Sequence, residues 1–329
     1  MVDYTVYHVR MDCADEDKRP RLTDAPQPGN EGSNAGPRHR QGRPCAGLKS
    51  LAFAFSLLVS VGFASAQERT MVPVTVDGEE VRLAVTSHKP PGDGPFPTLI
   101  FHHGSTGGGT DPSLFAQLDA RKPLVDWFTS RGWAVVLPAR RGRGGSEGLY
   151  DEGFSDDRAQ GYSCNASRLL WGAERALRDV NAITPPILAL PFVDKARVAV
   201  GGHSRGGILA LMWAGQHPDQ SRGGVNFGGG WRATVCASAE VVNQELFRRN
   251  AARVPPSLWL YGTHDPYYSM AHSRANFAAF EAAGGVGAFH EFQPPPGRSH
   301  GHFIIDFPLL WGGTMERYLA GRGLPTKGP

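Results

Sequence analysis

Gly202-His203-Ser204-Arg205-Gly206 is a G-x-S-x-G pentapeptide, and its surroundings make it informative. Arg197-Val198-Ala199-Val200-Gly201 before it reads as a short buried strand. Gly207-Ile208-Leu209-Ala210-Leu211-Met212-Trp213 after it reads as a buried helix. Strand, pentapeptide and helix together present a serine hydroxyl on a strained turn, with glycines two residues to either side where side chains would collide. The helix that opens beyond the serine aims N–H groups and the positive end of its dipole at any oxyanion forming there. The bland reading is a chance match in a chain with 42 glycines.

A serine hydroxyl is a poor nucleophile until a base takes its proton, and the base needs a third group to hold its tautomer. Both follow in the chain. Leu258-Trp259-Leu260-Tyr261-Gly262 is a late apolar strand, and Thr263-His264-Asp265-Pro266 comes at its end, so Asp265 stands where the acid belongs, although any Asp-Pro also suits a surface turn. Ser299-His300-Gly301-His302-Phe303 offers two bases. His302 is favoured, because the glycine before it permits a tight turn and an apolar run follows; His300 is the alternative. The His-x-His pair has no further ligands at metal spacing, so neither metal nor cofactor is expected. Two N–H groups must hold the oxyanion: that of Arg205, directly after the serine, and one from His103-Gly104-Ser105, with Ser105 preferred and Gly104 or Thr106 as alternatives.

Alternating patterns supply the elements that position these groups. Strands are expected at 71–76 and 81–85 (a hairpin turning at Asp77-Gly78), then at 97–101, 133–137, 197–201, 224–227, 257–262 and 288–292. Helices are expected near 124–130, 167–183, 237–250, 271–283 and 309–320. Strands alternating with helices predict an α/β fold with a mostly parallel sheet covered on both faces, and a site beyond the carboxyl ends of its strands. In Arg140-Arg141-Gly142-Arg143-Gly144-Gly145-Ser146-Glu147-Gly148, Gly142 and Gly144 begin a dinucleotide fingerprint, but Glu147 takes the third glycine's place. The segment reads instead as a loop pinned by its arginines. His203 reads as a packed structural histidine.

The N-terminal part reads as an address. Residues 51–61 form an apolar run of leader length after Lys49, and Ala64-Ser65-Ala66 supplies a small-x-small exit. A signal peptide over 49–66 is expected, with a buried core helix as the bland alternative. Residues 1–48 are polar and aperiodic and read as an unstructured extension or a misassigned start, leaving 67–329 as a single domain. The run is too short for a permanent membrane span, and the protein is expected to be exported, periplasmic or secreted. A net charge of +3 without a basic stripe gives no footprint for nucleic acid. Of the four cysteines, Cys13 and Cys45 precede the expected cleavage. Cys164 and Cys236 remain, to pair in an oxidising compartment or to stay as two buried thiols.

The chain resembles the α/β-hydrolase superfamily, in particular its exported dienelactone-hydrolase-like branch. The resemblance rests on His102-His103-Gly104, the 141–148 loop, Gly202–Gly207, Leu260–Asp265 and Gly301-His302. Dienelactone hydrolases carry a cysteine nucleophile where this chain has Ser204, a departure that favours ordinary carboxylic esters. The 141–148 loop is also similar to one in cocaine-esterase-type and X-prolyl peptidase relatives. The resemblance implies a serine hydrolase acting on a small-molecule ester, with a peptidase or amidase as the runner-up and a non-catalytic binding protein of the same fold as the third reading.

Overall fold

The computed structural model describes residues 66–329 apart from 119, 120, 296, 298, 299, 328 and 329. The extension expected over 1–48, and all of the leader expected over 49–66 except Ala66, lie outside the described residues. Eight strands form one sheet: β1 (Ala66–Val76), β2 (Glu79–Lys89), β3 (Phe96–His102), β4 (Ala134–Pro138), β5 (Val193–His203), β6 (Gly224–Phe227), β7 (Ser257–Gly262) and β8 (Gly287–Phe292). Six helices join them: α1 (Lys122–Thr129), α2 (Ala166–Leu188), α3 (Arg205–Gln216), α4 (Ala239–Arg248), α5 (Met270–Ala282) and α6 (Pro308–Gly321).

Spatially the order is β1-β2-β4-β3-β5-β6-β7-β8. β1 and β2 form the hairpin, with Asp77 and Gly78 both at positive φ, as a two-residue turn matched to strand twist requires. β2 meets β4 antiparallel, and from β4 to β8 every pairing is parallel. Both faces are covered, which is why the central strands are almost continuously apolar. One face packs Val85, Ile100, Val136 and Val200 beneath α2, α3 and α4. The other packs Leu99, Val135, Val225 and Leu258 beneath Trp127 and Phe128 of α1 and Trp311 and Met315 of α6.

Both strands of the hairpin, α2 and β5 run longer than expected. α2 continues through Pro185 and Pro186 to Leu188. Their missing N–H groups fall in the last turn, where only two helical bonds are lost, and Ile187 beyond them is buried in the core. β5 begins at Val193, four residues before its apolar run, because Phe96 pairs with Val193 across an irregularity in the β3 register.

Between β3 and β5 the winding of the sheet reverses. The chain leaves β3 toward β4 on one side and returns through β5 on the other, so the loops after β3 and β5 open a crevice at their carboxyl ends. His102 pairs with Gly202 there, which sets the 103–109 loop beside Ser204.

Candidate active site

Ser204 stands between β5 and α3 at φ 56° and ψ −123°, a conformation that L residues adopt only when their surroundings force it. Three backbone bonds do so. The Ser204 amide donates to the Phe227 carbonyl at 3.0 Å, and the Ser204 carbonyl accepts from Gly207 at 3.0 Å and Gly230 at 3.3 Å. The flanking glycines are steric necessities. A Cβ on Gly202 would collide with the Gly206 backbone, and one on Gly206 with the His102 carbonyl. Above the serine, a Cβ on Gly104 would come 3.0 Å from the Ser204 Cβ.

Asp265 lies in the turn after β7. Its Oδ1 accepts from the amides of Tyr267 (2.8 Å) and Tyr268 (3.1 Å), and its Oδ2 accepts from His302 Nδ1 at 2.8 Å. A carboxylate on Nδ1 fixes the proton there and leaves Nε2 as the ring's acceptor. The Asp265 and His302 side chains are 3% and 6% exposed, so little water competes for the bond. Gly301, packed against the Gly262 backbone, brings the chain close enough for His302 to reach the acid loop. His300 does not pair with Asp265. Its ring lies 4.9 Å from that of Phe303, and its buried Nδ1 has no partner among the described residues. His203 donates from Nε2 to the His302 carbonyl at 2.8 Å and packs its ring tilted against that of His302, 4.6 Å between centroids, the packed role expected of it.

Arg205 is the first residue of α3, and the first amides of a helix have no acceptor within it. In the loop opposite, Thr106 donates its amide to the Tyr162 hydroxyl at 3.3 Å, whereas the Ser105 amide meets no backbone acceptor among the described residues. Tyr268 is buried, with its hydroxyl beside that of the serine. Burial raises the phenol's pKa and the Ser204 contact lowers it, with burial prevailing, so the hydroxyl stays protonated. Neither Tyr268 nor Glu152, described next, carries any mark in the sequence.

Glu152 ties both halves of the crevice together. It accepts from Arg140 Nε at 2.6 Å and from Arg205 Nη1 at 3.1 Å, with all three side chains buried. Arg140 also donates to the His103 carbonyl at 2.9 Å, and Arg205 donates to the Trp231 carbonyl at 2.9 Å while stacking on the Tyr162 and Trp231 rings. Burial raises the Glu152 pKa, but the Arg140 and Arg205 guanidiniums outweigh it and hold the carboxyl down at about 2. The 140–148 loop is pinned by its arginines as expected: Arg143 donates to the carbonyls of Gly104, Phe115 and Gln117. Cys164 and Cys236 form a disulfide with Cα atoms 5.5 Å apart, joining the start of α2 to the segment before α4.

Burial also shapes the histidines. It lowers the pKa of His102 to about 3 with help from Arg140, and holds His103 and His203 well below the usual value, aided by Arg140 and Arg143 at the first and by Arg121 and His302 at the second. All three are neutral in the fold but take protons in the unfolded chain below about pH 6.5, so their contribution is present above that pH and is lost progressively as pH falls below it. His102, held at about 3, should cost about 1.4 kcal/mol of stability per pH unit below pH 6.5, and His103 and His203 add to the loss in the same direction. Urea midpoints measured from pH 7.5 down to 4.5 should therefore fall steeply before most carboxylates titrate, and His102→Gln should flatten the slope. A flat profile between pH 6.5 and 5 would contradict the buried neutral state.

Ser204, His302, Ser105 and Arg205 open on one cavity of about 660 Å³, walled by apolar residues such as Leu114, Leu137, Trp231 and Phe303. Among the described residues no group of three or more acidic, histidine or cysteine side chains is placed to hold a metal, and no helix is long and apolar enough to cross a membrane.

The chain has the α/β-hydrolase fold. The family model of the X-Pro dipeptidyl-peptidases (S15 family) matches residues 77–223, a stretch that contains Ser204 and ends before Asp265 and His302. The fold and this match class the protein as a serine hydrolase of that fold. Among solved structures it is similar to the Pyrococcus furiosus esterase Pf2001 (TM-score 0.52, 15% identity, 77% of this chain and 90% of that one). It is similar also to Est1E of Butyrivibrio proteoclasticus, solved with ferulic acid bound (0.51, 14% identity, 76% and 99%). The Pyrococcus horikoshii acylaminoacyl peptidase matches at 0.50 and 20% identity over 78% of this chain, which spans only 41% of that protein. No curated protein matches the chain.

Proposed function

We propose that the protein hydrolyses carboxylic esters through an acyl-enzyme. His302 Nε2 takes the Ser204 proton as Oγ attacks the carbonyl. The Arg205 and Ser105 amides receive the negative charge of the tetrahedral intermediate, and His302 returns the proton to the departing alcohol. Water, activated by the same nitrogen, then releases the acid. Asp265 holds the His302 tautomer and stabilises the imidazolium in both halves of the cycle. The observation that carries this reading is the buried Asp265–His302 bond of 2.8 Å beside a serine forced to positive φ.

An amide-cleaving activity is the second reading, favoured by the S15 match over 77–223. Purified protein assayed on p-nitrophenyl esters of graded acyl length, beside aminoacyl and acylaminoacyl p-nitroanilides, separates the two. The esters should be the better substrates by kcat/KM, and faster cleavage of the anilides would reverse the assignment. We propose export as well: the leader pattern over 49–66 and a disulfide between Cys164 and Cys236 suit an oxidising compartment.

A further inference from the structure

Five arginines line the active-site cavity, Arg69, Arg121, Arg143, Arg205 and Arg232, and among the described residues no aspartate or glutamate does. Two of the charges are answered from behind the wall: Arg205 by Glu152 at 3.1 Å, and Arg121 by Asp306 at 3.3 Å. Arg143 spends its guanidinium on three backbone carbonyls. Arg69 reaches the Gly144 carbonyl from the exposed end of the cavity and forms no ion pair among the described residues. The cavity histidines His103 and His203 are neutral and add no charge of their own.

Arg232 stands out among these. Its Nη2 meets only the Tyr162 carbonyl at 3.3 Å and the Cys164 sulfur at 3.7 Å, and its buried Nε has no acceptor among the described residues. A buried guanidinium N–H left unmade is costly. The residue is nonetheless held in place. Asn243 Oδ1 accepts from the amides of Trp231 (2.7 Å) and Arg232 (3.0 Å), Asn243 Nδ2 donates to the Arg232 carbonyl at 3.0 Å, and the Cys164–Cys236 bridge lies alongside. A fixed, half-buried, unpaired cation on the wall of a catalytic cavity is preorganised for an anion.

We propose that the substrate is an ester bearing a carboxylate, which binds Arg232 while the apolar wall takes the rest of the molecule. This rests on the ester-hydrolase reading and deepens it. The same wall disfavours substrates with a free amino terminus, since no carboxylate among the described lining residues is there to receive an ammonium. Burial, with Arg205 next, lowers the Arg232 pKa, and the charge of a bound anion would offset both.

The test compares matched pairs. On the acyl side, p-nitrophenyl hydrogen glutarate is set against p-nitrophenyl valerate. On the alcohol side, the acetate ester of 4-hydroxybenzoate is set against that of 4-methylphenol. In at least one pair the anionic ester should lead by about tenfold in kcat/KM, mostly through KM, as one charge-assisted contact supplies. The lead should shrink with added salt. Arg232→Gln should bring the ratio near one, while Arg232→Lys, which keeps the charge, should retain part of it. The wild-type comparison stands even if a variant folds poorly. Equal or faster turnover of the neutral ester in both pairs, or a ratio unmoved in Arg232→Gln, would overturn the proposal alone. No turnover of any ester, with Ser204 unlabelled by an organophosphate, would overturn the ester-hydrolase reading and this one with it.

Discussion

Ser204→Ala is expected to lower kcat by about a thousandfold or more, because nucleophile and base act as one unit and the oxyanion donors alone supply only the residual rate. The fold should survive the change. Ser204 is 5% exposed and its backbone is held by three hydrogen bonds that alanine keeps. Alanine does inherit the φ of 56°, so a small loss of stability is expected without loss of structure. An organophosphate should label Ser204 in the wild type and nothing in the variant. Near-wild-type esterase activity in Ser204→Ala would show that the nucleophile lies elsewhere.

The second large effect separates two histidines that stand two residues apart. His302→Ala should be about as damaging as Ser204→Ala, on the order of a thousandfold or more in kcat. His300→Ala should stay within a few fold. The difference follows from geometry: His302 Nδ1 bonds Asp265 Oδ2 at 2.8 Å, whereas His300 packs on Phe303 and its Nδ1 has no hydrogen-bond partner among the described residues. Measuring kcat and KM for both variants on one ester decides the matter. A ranking in which His300→Ala is the worse of the two would move the base and, with it, the part assigned to Asp265.

Much of this was legible in the chain because it depends on neighbours in sequence. The turn at Ser204 needs small residues two positions away on either side, and Gly202 and Gly206 are there to be read. The covered parallel sheet announced itself in the continuous apolar runs of β3, β5 and β7, since a strand buried on both faces has no polar alternation. Strand β6 and the limits of β7 appeared where the pattern put them. The helix expected near 167–183 runs further than its local pattern suggests: a double proline at 185–186 stops a helix in isolation, but α2 continues two residues past it, where Ile187 is buried.

The sequence by itself determined which residue types stand at strand ends and in what order: a serine, then an acid, then a pair of histidines. Only the tertiary structure shows which of His302 and His300 bonds Asp265, because that turns on which imidazole lies within 2.8 Å of a carboxylate 37 residues earlier. The pairing of Cys164 with Cys236 was decided likewise, by a Cα separation of 5.5 Å that a spacing of 72 residues does not foretell. Glu152 and Arg232 carry no local signature at all. Their importance comes from what long-range packing denies or supplies to a buried charge: two guanidiniums around one carboxylate at Glu152, and no carboxylate among the described residues at Arg232. Electrostatics in a dry interior depends on distances of a few ångströms between segments far apart in the chain, and those distances exist only after folding.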